Sequence, residues 1–167
     1  MAVTIIATAG AVDANSYVTY SDARAYFTTR IDYSAWEDAE GDDQKAALVL
    51  ATSLLDTAYT WVGVKVSDDQ ALRWPRSGVV DRDGFPVDSA TIPAFLADAT
   101  AEFALMLLAD DRLKDPDTQG FSQIKVGPLY MQVARGDRRR IIPDYVELML
   151  AHYGVTNDTS MRTLERV

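Results

Sequence analysis

Residues 93–109 read PAFLADATAEFALMLLA, and this segment sets the main condition that the fold must satisfy. Pro93 is a favourable residue for the first turn of a helix, and the spacing of the apolar residues after it predicts a helix. One side of that helix carries large apolar residues, and the opposite side is also small or apolar. Such a helix lies either at the centre of a domain or against another chain.

Three further helices are predicted around this segment. Residues 19–22 resemble a capping box at the start of the first helix. The second opens at residues 42–43, where two aspartates oppose the positive end of the helix dipole, and it is predicted to end at Gly63. The fourth is predicted over residues 143–154, from a proline to a glycine.

Short extended segments complete the predicted fold. Residues 3–6 are predicted to form a strand, residues 83–84 the turn of a hairpin, and residues 123–133 two short strands broken by Gly-Pro. Residues 31–40 are predicted to form a loop with one helical turn. The fold class that follows is mainly α: a small four-helix bundle with a short β-hairpin/loop insertion and extended termini.

The length and composition indicate one domain followed by a tail. A chain of 167 residues buries roughly 70% of the surface of its unfolded form, which is enough for a core of its own. Residues 1–154 are assigned to a single helical domain. Residues 155–167 form a polar tail, in which Met161 and Leu164 belong to a thin apolar stripe. A tail of this kind is either disordered or becomes ordered on a partner.

The charged residues are distributed unevenly along the chain. The net charge is −9, from 16 basic and 25 acidic residues. Between residues 112 and 140, seven basic and three acidic residues give a net charge of +4, which leaves −13 for the rest of the chain. Nucleic acid repels an acidic chain unless its basic residues are segregated, and here they are partly segregated.

No group with catalytic chemistry stands out in the sequence. The chain has no cysteine, which excludes disulfides and thiolate metal sites, and its one histidine, His152, is expected near the end of the last helix. No Walker loop, dinucleotide fingerprint or zinc spacing is present. The longest apolar helix is too short and too charged to span a bilayer. We therefore expect no enzymatic activity, no cofactor, no metal and no membrane contact.

A rigid Trp-Pro-Arg motif lies in the loop of residues 70–84. Pro75 fixes its own φ and favours an extended conformation at Trp74, while Arg73 and Arg76 flank the ring. Two interpretations remain open. Either Trp74 pins the loop to its own core, or the motif is an anchor for a partner, because tryptophan and arginine dominate interface hot spots.

A basic turn near residue 140 is the best candidate for contact with phosphate groups. Its positive charge comes from Arg135, Arg138, Arg139 and Arg140. The alternative is a solvated surface loop. An aromatic platform for single-stranded DNA has weak support, since Tyr130 and Phe121 are the rings near these arginines.

Several motifs, taken in order along the chain, resemble one known family. The matching residues are Asn15-Ser16-Tyr17-Val18, Tyr26-Phe27, Ala46-Ala47-Leu48, Leu54-Leu55-Asp56, Trp61, Gly63, Gln70–Gly78, Asp81, Gly84, Ile92-Pro93 and Lys125-Val126-Gly127-Pro128. Over about residues 13–153 the chain resembles the tailed-phage head–tail connector (adaptor) proteins. Related sequences are often labelled DnaT-like single-stranded-DNA-binding proteins.

The resemblance implies a structural function. Subunits of the connector family assemble as a ring, usually of twelve copies, beneath the portal at the neck of the virion, and double-stranded DNA passes through the ring. The implied partners are further copies of the chain, the portal protein and a tail-side neck or tail-terminator protein. The resemblance implies that the protein is in the host cytoplasm during assembly and at the head–tail junction of the virion afterwards. The alternative is a DnaT-like replication accessory protein that binds single-stranded DNA.

Two sets of candidate site residues follow from these interpretations. The candidate subunit or partner interface consists of Arg73, Trp74, Arg76, Ala97, Ala101, Leu105, Leu108, Met161 and Leu164. The candidate DNA- or lumen-facing set consists of Arg135, Arg138, Arg139 and Arg140. The first set assumes that the apolar helix packs against another chain, and the second assumes that the basic turn meets DNA.

Overall fold

A computed structural model describes residues 2–110, 112–113, 123–126, 129–132 and 140–157 of the protein. The helices in these ranges are α1 (Tyr20–Phe27), α2 (Ser34–Glu37), α3 (Gly41–Ala58), α4 (Ala94–Ala109) and α5 (Asp144–Leu150). The strands are β1 (Tyr59–Trp61), β2 (Val64–Lys65), β3 (Arg76–Ser77), β4 (Gln123–Val126), β5 (Leu129–Gln132) and β6 (Gly154–Thr156). For β4 and β5 the description is of the backbone.

Helix α4 lies at the centre of the fold. It packs against α1, α2, α3 and α5. Every residue from 99 to 105, almost two full turns, is buried. This apolar helix is therefore covered by elements of its own chain. Of the two positions that the sequence left open, the centre of a domain or a contact with another chain, α4 occupies the first.

The helix starts follow the capping signals in the sequence. The Thr19 side chain accepts a hydrogen bond from the Asp22 N–H at 3.1 Å, which confirms the predicted cap of α1. Pro93 and Pro143 precede α4 and α5 directly. Neither proline has an N–H, and the first turn of a helix leaves such groups without an intrahelical partner.

Helix α3 is shorter than the sequence predicts, because a strand follows it. The helix ends at Ala58, and β1 then pairs antiparallel with β6, with Thr60 opposite Val155. Aromatic and β-branched residues favour strands, and the rings of Tyr59 and Trp61 are buried on the same face of β1. Val155 therefore lies in a sheet at the edge of the core, although the sequence assigns it to the tail.

The predicted fold class, a mainly α four-helix bundle, is wrong. Within the described ranges the protein mixes α and β structure, with five helices and three two-stranded antiparallel sheets, β1–β6, β2–β3 and β4–β5. The predicted helical turn in residues 31–40 is a fifth helix, α2. Two of the sheets join residues that are distant in sequence, and local periodicity contains no information about such pairs.

The predicted strand at residues 3–6 is also wrong. A side chain takes the place of a neighbouring strand there. The Ile6 N–H donates to Asn15 Oδ1 at 2.8 Å, and Asn15 Nδ2 donates to the Thr4 carbonyl at 2.9 Å. Asn15 thereby holds the N-terminal segment against the residues that lead into α1.

Two other sequence predictions are confirmed. The Asp81 N–H donates to the Phe85 carbonyl at 2.8 Å, which closes the expected turn, and Gly84 adopts the positive φ (+90°) that the turn requires. Strands β4 and β5 also occur on either side of the Gly-Pro break, and their register places Lys125 opposite Tyr130.

Replacement of Gly63 by alanine tests the junction between β1 and β2. Gly63 and Gly78 both have φ +74°, but a Cβ at position 63 would collide with the Ser77 carbonyl oxygen and lie 2.8 Å from Val79 Cγ2. A Cβ at position 78 would meet no atom within 4 Å. We expect Gly78→Ala to lower the free energy of unfolding by about 1–2 kcal/mol. Gly63→Ala should cost a further ~1–3 kcal/mol because of the collision.

Urea unfolding followed by circular dichroism measures both variants, and Gly78→Ala is the control for backbone strain alone. Equal losses in the two variants would show that residue 63 is not packed as described.

Candidate functional site

The Trp74 ring lies in the core rather than on the surface. Its side chain is 1% exposed. The ring meets Trp61 edge to face at 5.8 Å between centroids, and it meets Phe95 in the same way at 5.7 Å. The Trp74–Pro75 peptide bond is cis. Of the two interpretations of this motif, the structure places Trp74 as the residue that pins the loop to its own core.

The guanidinium group of Arg76 holds the same loop from inside. It donates to the carbonyl oxygens of Val62 (2.7 Å), Gly63 (2.5 Å) and Arg73 (3.1 Å). The side chain is largely buried, and burial lowers the pKa of this guanidinium. Arg76 thus uses its donors on backbone carbonyls within the chain, whereas the Arg73 side chain is exposed.

A half-buried carboxyl group joins the start of the chain to the same loop. Asp56, on α3, accepts hydrogen bonds from the Tyr17 hydroxyl and from the Arg73 N–H (3.0 Å). Burial raises the pKa of Asp56 and also the pKa of Tyr17. These contacts fix three segments against one another. The motif residues near positions 17, 56 and 73 therefore stabilise the fold by contacting one another.

The four α4 residues of the candidate interface differ in exposure. Ala101 and Leu105 are buried by the chain itself, at 0% and 6% exposure. Ala97 and Leu108 are half-buried. The structure therefore leaves Ala97 and Leu108 available to a partner in part, and their role in an interface stays a prediction.

Several candidate residues lie outside the described ranges. These are Arg135, Arg138, Arg139, Met161 and Leu164. Arg140 is described, and its guanidinium pairs with Asp144 at 2.9 Å and with Glu147 at 2.6 Å, at the start of α5. The hydrogen bond to Asp144 and the two carboxylates raise the pKa of Arg140. Arg140 thus holds the start of α5, and a role of Arg135, Arg138 and Arg139 toward DNA stays a prediction.

Glu102 is the buried carboxylate of α4, and sequence reasoning assigned it no function. Its side chain is 1% exposed, and Oε1 accepts hydrogen bonds from the Tyr26 hydroxyl (2.8 Å) and from Arg30 Nη1 (3.0 Å). Burial and the bond to Glu102 raise the pKa of Tyr26. The signal in the sequence was a glutamate in the middle of an apolar helix, because a buried charge requires partners.

A cavity of about 480 Å³ opens between α1, α2 and the start of α3. Four aromatic rings line it, those of Tyr20, Phe27, Tyr33 and Trp36. The Tyr33 ring lies parallel to the ring of Phe27, with 6.3 Å between centroids. Gln44 is buried at this site, where it accepts from the Tyr20 hydroxyl (2.5 Å) and donates to the Trp36 carbonyl (2.6 Å). Cavities of this volume accommodate small ligands or single side chains.

Acidic residues are concentrated in the segment that borders this cavity, and one of them, Glu37, lines the cavity together with Arg24. The carboxylates between residues 37 and 43 are Glu37, Asp38, Glu40, Asp42 and Asp43. Two cations oppose them: Arg24 and Lys45 lie 5.9 and 5.6 Å from the centroid of the Tyr20 ring. Lys45 also pairs with Asp42 at 3.3 Å. Sequence reasoning missed the cavity, and its signal was the pair of rings three residues apart in residues 31–40.

Other kinds of site are not found in the described part of the chain. No group of three histidine, cysteine or acidic side chains there could hold a metal ion. Among the helices described, none is long and apolar enough to cross a membrane. His152 is exposed, and its Nε2 lies 3.2 Å from the Val80 carbonyl oxygen.

Comparison with known proteins places the chain in a family. The family model described as "Putative DnaT-like ssDNA binding protein" matches residues 1–167. The chain therefore belongs to this family of DnaT-like proteins. No curated protein and no solved structure matches the chain.

Truncation of Trp74 tests its position in the core. We expect Trp74→Ala to lower the free energy of unfolding by about 3–5 kcal/mol, because a large buried ring is removed. Arg73→Ala, at the exposed neighbouring position, should change it by less than about 0.5 kcal/mol. Urea unfolding followed by far-ultraviolet circular dichroism measures both, and a small effect of Trp74→Ala would contradict the buried placement.

Removal of one hydroxyl tests the contact between α1 and α4. Tyr26→Phe should destabilise the protein by about 1.5 kcal/mol or more, since a hydrogen bond to a charged group is lost. Tyr145→Phe is the matched control, because the Tyr145 side chain is 47% exposed. In a Glu102→Gln background the cost of Tyr26→Phe should fall, and an unchanged cost would rule out coupling between the two groups.

Proposed function

We propose that this member of the DnaT-like family binds single-stranded DNA through the basic segment between residues 112 and 140. The segment carries a net charge of +4 in a chain whose remainder is −13. Phosphate contacts by lysine and arginine supply most of the affinity for nucleic acid when sequence is not read. The family match supports this function, and the charge distribution assigns it to a part of the chain.

The register of the β4–β5 hairpin is the observation that supports the proposal most directly. It pairs Lys125 with Tyr130, so a basic residue and an aromatic residue stand opposite each other within the basic segment. Basic residues interleaved with aromatic residues are typical of surfaces that bind single-stranded nucleic acid, since the cations meet phosphates and the rings stack on bases. Arg135, Arg138 and Arg139 follow in sequence.

The helical body, residues 2–110 and 140–157, is a poor alternative location for DNA binding. Its three tryptophans, Trp36, Trp61 and Trp74, are buried. The guanidinium groups of Arg30 and Arg76 make contacts within the chain. In the helical body, therefore, no tryptophan ring is available to stack on bases, and the guanidinium groups of Arg30 and Arg76 are already engaged.

A second candidate function is a subunit of a head–tail connector ring. The observation that favours it is the net charge of −13 outside the basic segment, because an acidic lumen lets double-stranded DNA slide rather than adhere. In this function the partners are further copies, the portal and a tail-side neck protein, at the head–tail junction of a virion. Negative-stain imaging of the protein mixed with portal tests it, and the expected result is a ring.

We further propose that neither function involves catalysis. The chain has no cysteine, and its one histidine, His152, follows α5 and has a ring nitrogen against a backbone carbonyl. In the first function the partner is single-stranded DNA.

Binding of a labelled oligothymidine at several salt concentrations tests the proposed function. Fluorescence anisotropy should report affinity that falls steeply with salt, with a log–log slope of about −3 if roughly four phosphates are contacted. Arg138→Ala and Arg139→Ala should each weaken binding and reduce the magnitude of the slope by about 0.7.

Arg82→Ala is the matched control, because Arg82 is an exposed arginine on the loop of the helical body. It should leave both affinity and slope unchanged. Absence of binding at 20 mM salt, or equal losses in all three variants, would overturn the proposal and favour the connector function.

A further inference from the structure

We propose that the ring-lined cavity between α1, α2 and α3 binds the basic segment of a second copy of this chain. The cavity is the docking site, and an arginine side chain from residues 135–139 of the neighbouring copy is the occupant. This self-association goes beyond the proposed function, since its docking site is a different surface and it does not require DNA, although its occupant belongs to the same basic segment.

The chemistry of the cavity selects a cation. The rings of Tyr20, Tyr33 and Trp36 line it, and an aromatic face attracts a guanidinium group. Glu37 lines the cavity, and four of the five carboxylates in residues 37–43, those of Glu37, Asp38, Glu40 and Asp43, are exposed. A phosphate-bearing ligand would be repelled by this potential, whereas a basic segment would be attracted.

The Tyr20 ring shows that cations fit this environment. Arg24 and Lys45 of the same chain already lie within 6 Å of its centroid, at 5.9 and 5.6 Å. Both belong to helices that border the cavity, and the cavity volume of about 480 Å³ remains beside them. A further guanidinium group would have the Tyr33 ring and the Glu37 carboxylate as its neighbours.

Charge complementarity identifies the occupant. The segment of residues 112–140 has a net charge of +4, and the cavity lies in the part of the chain with −13. Arg140 is held by Asp144 and Glu147 at the start of α5. The proposal therefore assigns the other arginines near the end of the segment, Arg135, Arg138 and Arg139, to the cavity of the neighbouring copy on the basis of their charge.

The proposed contact joins two different surfaces, a cavity on one copy and a basic segment on the next. Such head-to-tail contacts produce a ring when the rotation between copies closes and a filament when it does not. The same arginines are proposed to meet DNA, so oligonucleotide and self-association should compete.

Sedimentation velocity of the full chain tests the proposal. The wild-type protein should associate at 20 mM salt and dissociate at 500 mM salt, because charge pairs are screened. The double variant Glu37→Lys/Glu40→Lys and the double variant Arg138→Glu/Arg139→Glu should each weaken association about tenfold or more. Tyr33→Leu, which keeps the charge constant, should weaken it as well.

Mixing gives the sharpest result. The two double variants should associate with each other, because the intact basic segment of the cavity variant can meet the intact cavity of the segment variant. Asp68→Lys/Asp69→Lys is the control with matched charge, since both residues are exposed on the loop before the Trp-Pro-Arg motif. It should leave association unchanged.

Three results would overturn the proposal: a monomer under all conditions, failure of the mixed variants to associate, or an equal effect of the control. The cavity variants also separate this proposal from the proposed function, because they free the basic segment and should therefore not weaken oligothymidine binding. Loss of DNA binding with intact self-association would reject the proposed function and leave the cavity contact standing.

Discussion

The fold depends on the burial of α4, a helix with hardly any polar surface. Water cannot cover such a helix, so the chain surrounds it with four other helices. The one charge in its most buried turns, on Glu102, is matched by a hydroxyl and a guanidinium group from α1. The Trp74 loop also helps to cover α4, since the Trp74 ring packs against Phe95 in the first turn of this helix.

Covering α4 determines what is left for the surface. The tryptophans and several arginines lie inside or make contacts within the chain, so that the exposed part of the helical body is mostly acidic. We propose on this basis that the basic segment binds a polyanion and that the ring-lined cavity binds a cation. One distribution of charge thus underlies both proposals, the contact with DNA and the contact between copies.

Local features could be predicted from the sequence, and distant pairs could not. The cap at Thr19, the turn closed at Asp81 and the two strands around the Gly-Pro break depend on neighbouring residues, and they are confirmed. The fold class failed because β1 pairs with β6 across nearly a hundred residues. The cavity was missed for a similar reason, since its rings come from α1 and from residues 33–36, which only the fold brings together. Trp74 was recognised as important, but sequence alone left two locations for its ring.

The central claim is that an acidic, self-contained body carries a basic segment that makes the contact with DNA. Hydrogen–deuterium exchange of the full chain, with and without oligothymidine, tests it most directly. Added DNA should slow exchange in peptides covering residues 112–140 and leave exchange in the buried helix α4 unchanged. Protection that falls on α1 to α3, with none in residues 112–140, would contradict it.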